Sequence, residues 1–168
     1  SLNQVKVSAN KKRRVLDIAC GSGSYALVLS TFADEVIGTD LDPLMIRQAS
    51  QKQNNNQVEF KVHNMLEVNE LNVDSIGFDF IYCIGNSIVH LDNLDEIYSV
   101  INQVYQMLNH DGVFVIQVIN FDRILKYQVK SLPTIVNEDE GVTFTREYNH
   151  SLVEHKIEFS TILDIDTD

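Results

Sequence analysis

Short apolar runs separated by helical stretches constrain this chain more than any other feature. Val15–Ala19, Val36–Thr39, Val58–Val62, Phe78–Ile84 and Val113–Ile119 each read as a strand of a few residues. Helices are predicted between them: Ser24–Phe32, then Pro43–Gln53 behind a first-turn proline, and Leu94–Leu108. In the last of these, Leu94, Ile97, Tyr98, Ile101, Val104, Tyr105 and Leu108 keep to one helical face; Asp92 or Asn93 caps the start and Asp111-Gly112 ends the segment in a turn. Strands alternating with helices at this spacing make an α/β domain with a parallel sheet and right-handed crossovers. The nearly unbroken apolar run Val113–Ile119 predicts a strand buried on both faces. After Phe121 the texture changes. A helical stretch, Phe121–Val129, leads to Pro133, and then Val142–His150 and Leu152–Ile165 alternate apolar with polar residues. They predict an antiparallel hairpin turning near Asn149–Ser151, within an antiparallel addition over 133–165.

With 168 residues the chain suits one domain, 1–168, with a single core. It ends at Thr167-Asp168 directly after a strand, and the expectation is a trimmed chain or a core fragment. Acidic residues are spread throughout and the net charge is −11, a field that repels phosphate backbones; nucleic acid is not the expected partner. No run approaches the ~18–20 apolar residues of a membrane span, so no membrane partner is expected either. Cys20 and Cys83 make no disulfide framework, and a reduced, cytoplasmic setting is the simplest expectation. The five histidines are scattered, with no cluster at metal-ligand spacing.

Two places carry chemistry on their own terms. Asp17-Ile18-Ala19-Cys20-Gly21-Ser22-Gly23-Ser24 joins the first strand to the first helix, and its glycines let backbone approach a ligand closely. Asp40 ends the second strand, 17 residues after Gly23 and near the ~20-residue offset at which a carboxylate meets both ribose hydroxyls of an adenosine. Either Asp40 or Asp42 can instead cap the helix at Pro43; Asp42 is the better placed cap and Asp40 the better placed ligand. Both sites suit a dinucleotide as well as a sulfonium nucleoside, and Gly21-Ser-Gly23-Ser-Tyr-Ala26 even fits the Gly-x-Gly-x-x-Ala fingerprint. Asp17 argues the other way, because an acid inside an apolar strand is costly unless the fold uses it.

Val15-Leu-Asp-Ile-Ala-Cys-Gly-Ser-Gly23 resembles the first motif of class I S-adenosylmethionine-dependent methyltransferases, and the later motifs of that family fall at Asp40, after strand three and at Phe78-Asp79. The resemblance covers about residues 15–125. It implies a Rossmann-like three-layer sandwich with parallel strands in the order 3-2-1-4-5, and S-adenosyl-L-methionine as cofactor. It also implies a cofactor set of Asp17, Ala19, Gly21, Gly23, Asp40, Leu41, Asn64, Met65, Cys83 and Gly85. Many members carry Asp after strand three, where this chain has Asn64; its side-chain oxygen can accept the same hydrogen bond from an adenine amino group while Met65 packs on the ring.

Cys83-Ile-Gly-Asn-Ser-Ile-Val-His-Leu91 and Asn120-Phe-Asp-Arg-Ile-Leu125 are similar to segments of the glycine N-methyltransferase-like group. That narrower resemblance implies that Asn86, Ser87 and His90 adjoin the sulfonium and that Asn120 reaches the acceptor, with Asn86, His90 and Asn120 the catalytic candidates. The expected function is methyl transfer to a small molecule, an amine above all. An NAD-dependent oxidoreductase and a non-catalytic ligand-binding module with the same fold are the alternatives. Either a homodimer through the carboxyl-terminal hairpin or that hairpin folded back over the site is expected, since exposed sheet edges tend to pair or be shielded.

Overall fold

The computed structural model describes residues 12–53, 55–72, 76–151 and 156–166. Their elements run β1 (Arg14–Ile18), α1 (Ser24–Leu29), β2 (Glu35–Asp40), α2 (Pro43–Lys52), β3 (Val58–Val62), a 3₁₀ stretch Met65–Leu71, β4 (Phe78–Cys83), a 3₁₀ turn Ile88–His90, α3 (Leu94–Met107), β5 (Leu108–Ile116), α4 (Phe121–Lys126), β6 (Ile135–Asn137), β7 (Val142–Ser151) and β8 (Lys156–Ile165). They fall into two compact units, Ser1–Val118 and Ile119–Asp168.

In the first unit five parallel strands lie in the order β3-β2-β1-β4-β5. This is the Rossmann-like order expected from the sequence. β1, Arg-Val-Leu-Asp-Ile, is buried along its whole length, as the middle strand of a sheet covered on both faces must be. One core gathers Leu16, Ile18, Phe78 and Ile81 against Val68 and Leu71 of the 3₁₀ stretch and Val100, Val104 and Met107 of α3. The opposite core packs Val15, Val36, Val58 and Tyr82 with Ala26 and Ala33. Burying each of the larger aliphatic side chains contributes roughly 1.5–3 kcal/mol.

Three details of the first unit depart from the sequence reading. α3 buries the stripe Val100, Val104 and Met107, with Ile97 half-buried, and leaves Leu94, Tyr98, Ile101 and Tyr105 exposed. The helix carries two adjacent apolar stripes; the sheet took the aliphatic one, and the one bearing tyrosine hydroxyls stayed in contact with water. Asp111-Gly112 does not end the helix. The helix stops at Met107, capped at its other end by the Asn93 side chain accepting from Glu96 N–H, and β5 begins at once. Between the pairs Phe78↔Leu108 and Phe80↔Val113 the register shifts, so that Asn109–Gly112 bulge out of the strand with Asp111 at φ 67°. Asn109 pins the bulge by donating to Gly77 O and Asp79 Oδ1, both at 2.9 Å. Finally, β5 is an end strand of this sheet, and Val113, Val115 and Ile116 are exposed rather than buried on both faces.

The second unit opens with α4, whose amino end is capped by the Asn120 carboxamide accepting from Arg123 N–H; it is shorter than the predicted Phe121–Val129 because Tyr127 and Gln128 leave helical geometry, Gln128 at φ 47°. β6, β7 and β8 make an antiparallel sheet in that order. The predicted hairpin is present, but its turn is not at Asn149–Ser151: these residues pair with Glu158, Ile157 and Lys156, and the connecting residues 152–155 lie outside the described ones. Alternation carries the strand through the polar triplet, and the Tyr148 ring tilts against Phe159 with centroids 5.1 Å apart. No helix among the described residues is long and apolar enough to cross a membrane.

Candidate functional site

Parallel pairing brings the carboxyl ends of β1, β2, β3 and β4 to one edge of the sheet, where crevices of such folds lie. The chain leaves β1 through a turn with Ala19, Gly21 and Gly23 all left-handed, at φ 60°, 54° and 76°. Backbone bonds hold it: Cys20 N–H donates to Thr39 O at 2.8 Å, and Gly23 N–H to Cys20 O at 3.0 Å. Asp40, at the end of β2, completes it. Its Oδ2 accepts from Gly21 N–H at 2.8 Å and its Oδ1 from Asp42 N–H at 2.9 Å, which fixes the carboxylate plane while each oxygen keeps a free lone pair. Asp42 caps α2, its Oδ1 accepting from Leu44 N–H at 2.8 Å.

The two glycines of the turn do different things. A side chain at Gly21 would meet nothing within 4 Å, so backbone there is open to a ligand. At Gly23 a Cβ would sit 2.6 Å from the Phe60 ring and 2.8 Å from Ala49 Cβ; this glycine serves the packing of the turn on β3 and α2.

Asp17 lies under the turn, 2% exposed, between Gly38 on β2 and Tyr82 on β4 in the strand register. Burial pushes its carboxyl up to about 7; the neighbouring Tyr82 hydroxyl opposes the shift and the Asp40 carboxylate adds to it. Burial, with Asp17 and Asp40 nearby, raises the Cys20 thiol to about 12, and burial with Asp17 raises Cys83 to about 11. Both thiols are therefore unreactive packing groups at neutral pH.

A cavity of about 290 Å³ opens at this edge, lined by Ala19, Thr39, Asp40, Leu41, His63, Asn64, Met65, Ser87, His90 and Leu91. Of the residues singled out in the sequence it brings together Ala19, Asp40, Leu41, Asn64, Met65, Ser87 and His90. Gly21 joins them through its bond to Asp40. Asn64 also caps the 3₁₀ stretch, its Oδ1 accepting from Leu66 N–H at 3.1 Å. Gly23, Asp17 and Cys83 stand behind the cavity wall, the last with its side chain in the core beside Ile81. Gly85 and Asn86, left-handed at φ 81° and 71°, form the turn after β4 but do not line the cavity. Asn120 belongs to the second unit, where it caps α4.

Three contributors escaped the sequence reading. Thr39 and His63 line the cavity, each next to a residue that had been singled out at a strand end. Gln117 shapes the turn after β4: its side-chain Oε1 accepts from Gly85 N–H at 2.8 Å, its carbonyl accepts from Asn86 N–H, and its own N–H donates to Cys83 O. Position at or just past the carboxyl end of a parallel strand was the available signal for all three. Among the described residues no three His, Cys, Asp or Glu side chains gather as a metal site requires.

The buried Asp17 makes stability depend on pH in a defined sense. Its folded pKa, about 7, lies above the unfolded value near 4, so its contribution favours the fold below about pH 4 and is lost as pH rises through about 7. Asp17→Asn, which cannot ionise, is expected to gain stability relative to the parent across that window, by roughly 2–4 kcal/mol between pH 4 and 8. Urea denaturation at a series of pH values measures it; a difference that stays constant with pH excludes a raised Asp17.

Comparison with known proteins agrees with this arrangement. A family model described as a methyltransferase domain matches residues 15–112. The glycine/sarcosine/dimethylglycine N-methyltransferase of Actinopolyspora halophila is 33% identical over 134 residues, 77% of this chain and 23% of that protein. The glycine/sarcosine N-methyltransferase of Halorhodospira halochloris is 30% identical over 157 residues, 89% of this chain and 58% of that protein. This chain thus spans less than three fifths of the length of these relatives. In fold it is similar to the SAM-bound amino pentose methyltransferase CalS10 of Micromonospora echinaspora, with a TM-score of 0.69 and 18% identity over 92% of this chain and 68% of that one. With the family model spanning more than half its residues and the glycine turn and Asp40 within the matched span, the chain belongs to the methyltransferase domain family.

Proposed function

We propose that this chain is the S-adenosylmethionine-binding core of an enzyme that transfers a methyl group to a small amine. The observation that carries the reading is the Asp40 carboxylate, held at the cavity edge by Gly21 N–H with lone pairs to spare. It is built to accept two hydroxyls of a ribose, while Asn64 and Met65 offer an acceptor and an apolar face to the base. The open space above Gly21 leaves room for the rest of the molecule, and the cavity volume is close to the ~300 Å³ at which small-molecule sites begin. Charge favours a sulfonium over a dinucleotide. Asp17 and Asp40 flank the glycine turn, and a pyrophosphate there would face carboxylates, whereas a cationic ligand is attracted.

When bound, S-adenosylmethionine supplies an activated methyl group; the chain's task is alignment and exclusion of water, where orientation contributes roughly 7–11 kcal/mol. Asp40, Asn64 and Met65 hold one end of the cavity, and Ser87, His90 and Leu91 form the wall contributed by the turn after β4. Within the first unit, His90 and Asn86 are the candidates for meeting the acceptor. The free thiols Cys20 and Cys83 fit a reducing, cytoplasmic setting.

Calorimetric titration tests the cofactor reading. S-adenosylmethionine and S-adenosylhomocysteine are expected to bind and NAD not to. Asp40→Ala is expected to weaken S-adenosylhomocysteine by roughly 1.5–3 kcal/mol, the range for hydrogen bonds to a charged group. Binding of NAD alone overturns the reading in favour of an oxidoreductase, and binding of none favours neither enzyme.

A methyl-transfer screen of the full-length protein against amino acids, small amines, lipids, RNA and protein tests the acceptor. The names of the N-methyltransferase relatives support an amine. Activity confined to RNA or protein removes the small-molecule reading.

We further infer a homodimer through the second unit. One face of its sheet carries Ile135, Phe144 and Leu163 across the strands, then Val142 beside Ile165 and Tyr148 beside Phe159. Ile135, Leu163 and Ile165 on that face are more than half exposed. This face, apolar apart from Arg146 and Thr161, suits burial against a second copy of the chain. Light scattering is expected to give twice the chain mass, falling to the monomer in Leu163→Asp.

A further inference from the structure

We propose that His63 is a positioning residue that sets the distance between the two anchors of the nucleoside end of the cavity, Asp40 and the Asn64-Met65 turn. The proposal rests on the cofactor reading above and adds to it a residue outside the expected binding set. His63 is the first residue after β3 and lines the cavity between those anchors. Its backbone N–H donates to Asp40 O at 2.9 Å, so its main chain is tied to the end of β2. Its side chain reaches the other way: Nε2 lies 2.9 Å from Glu67 O. A carbonyl oxygen can only accept, so Nε2 is the donor of this bond. Glu67 is where the 3₁₀ stretch kinks, with φ −119° and ψ 24° inside otherwise helical backbone. The imidazole thus clasps the kink, and the intervening Asn64 and Met65 are held in a closed loop whose ends are fixed by one residue.

The loop's far side has its own support. Gln103 of α3 donates to Leu66 O at 2.8 Å and accepts from Asn69 N–H at 3.2 Å, while Val68 and Leu71 are buried in the core. Loss of the imidazole therefore leaves the 3₁₀ stretch folded and frees only its leading turn, the part that carries Asn64 and Met65. The defect falls on the nucleoside end of the cavity alone, and an amide that restores a donor at the same reach repairs it. Gln places its Nε2 near that of His; Ala supplies nothing.

Calorimetry on the parent chain, His63→Ala and His63→Gln, with adenosine and with S-adenosylhomocysteine, reads the effect. His63→Ala is expected to weaken both ligands by the same factor, roughly five- to tenfold, as the loss of one net hydrogen bond implies. His63→Gln returns to within about twofold of the parent, and the acceptor KM in the full-length protein is unchanged in both. Hydrogen exchange on the ligand-free chain supplies a readout that needs no binding: the Leu66 and Glu67 amides exchange faster in His63→Ala and at the parental rate in His63→Gln. Unchanged affinities in His63→Ala, or exchange that does not quicken, overturn the proposal. A Gln variant as weak as Ala overturns it also, since filling the space alone would then be the role of the ring. Should the parent bind neither ligand while exchange behaves as stated, the brace stands and the cofactor reading fails.

Discussion

The hydrogen bond from Gly21 N–H to the Asp40 carboxylate joins the ends of two neighbouring parallel strands, and much of the site follows from it. Parallel pairing of β1 with β2 sets Ile18 beside Thr39, so the residues that leave the two strands emerge side by side. A turn that then doubles back into α1 must pass through left-handed backbone, and Ala19 accepts it without being glycine, at a cost of roughly 1–2 kcal/mol. Something must hold it there. The bonds to Thr39 O and to Asp40 do so, and they leave the carboxylate oriented before any ligand arrives, which lowers the ordering cost of binding.

The electrostatics of the edge follow from a second buried choice. A carboxyl at Asp17, inside the most buried strand of the sheet, has the Tyr82 hydroxyl of the neighbouring strand β4 beside it, which favours the charged form against burial. Its raised pKa means that Asp17 is only partly ionised at neutral pH. A cation brought to the glycine turn draws the proton off and strengthens the field that attracts it, so binding and ionisation of Asp17 reinforce each other.

The order of elements was legible because strand and helix periods differ and because caps and prolines mark helix starts: Pro43 and Asn93 stand where the structure has them. Ends were less legible. Nothing local told the chain to leave α3 directly into β5, since the bulge at Asn109–Gly112 is stabilised by Gly77 and Asp79, some thirty residues away in sequence. The same holds for the stripe that α3 buries: two adjacent apolar stripes were available, and packing against the sheet and the 3₁₀ stretch took the aliphatic one. In the site, residues on strand ends were readable from the pattern, whereas Gln117 and the side-chain partner of His63 depend on loop geometry that no period encodes.

Phe60 shows why a glycine signature has to be divided before it is assigned to a ligand. Its ring covers both Gly23 and Gly38; a Cβ at either would approach it to within 2.8 Å. One aromatic side chain on β3 therefore demands two glycines, one in the turn and one in β2, and packs the turn down onto the sheet. Gly23 would be required here by packing alone even if nothing bound. What packing does not require is Gly21, whose missing side chain faces open space, or the placement of Asp40's carboxylate beneath its N–H. That pair is the part of the motif left open to a ligand, and the rest of it is the means by which the sheet holds the pair still.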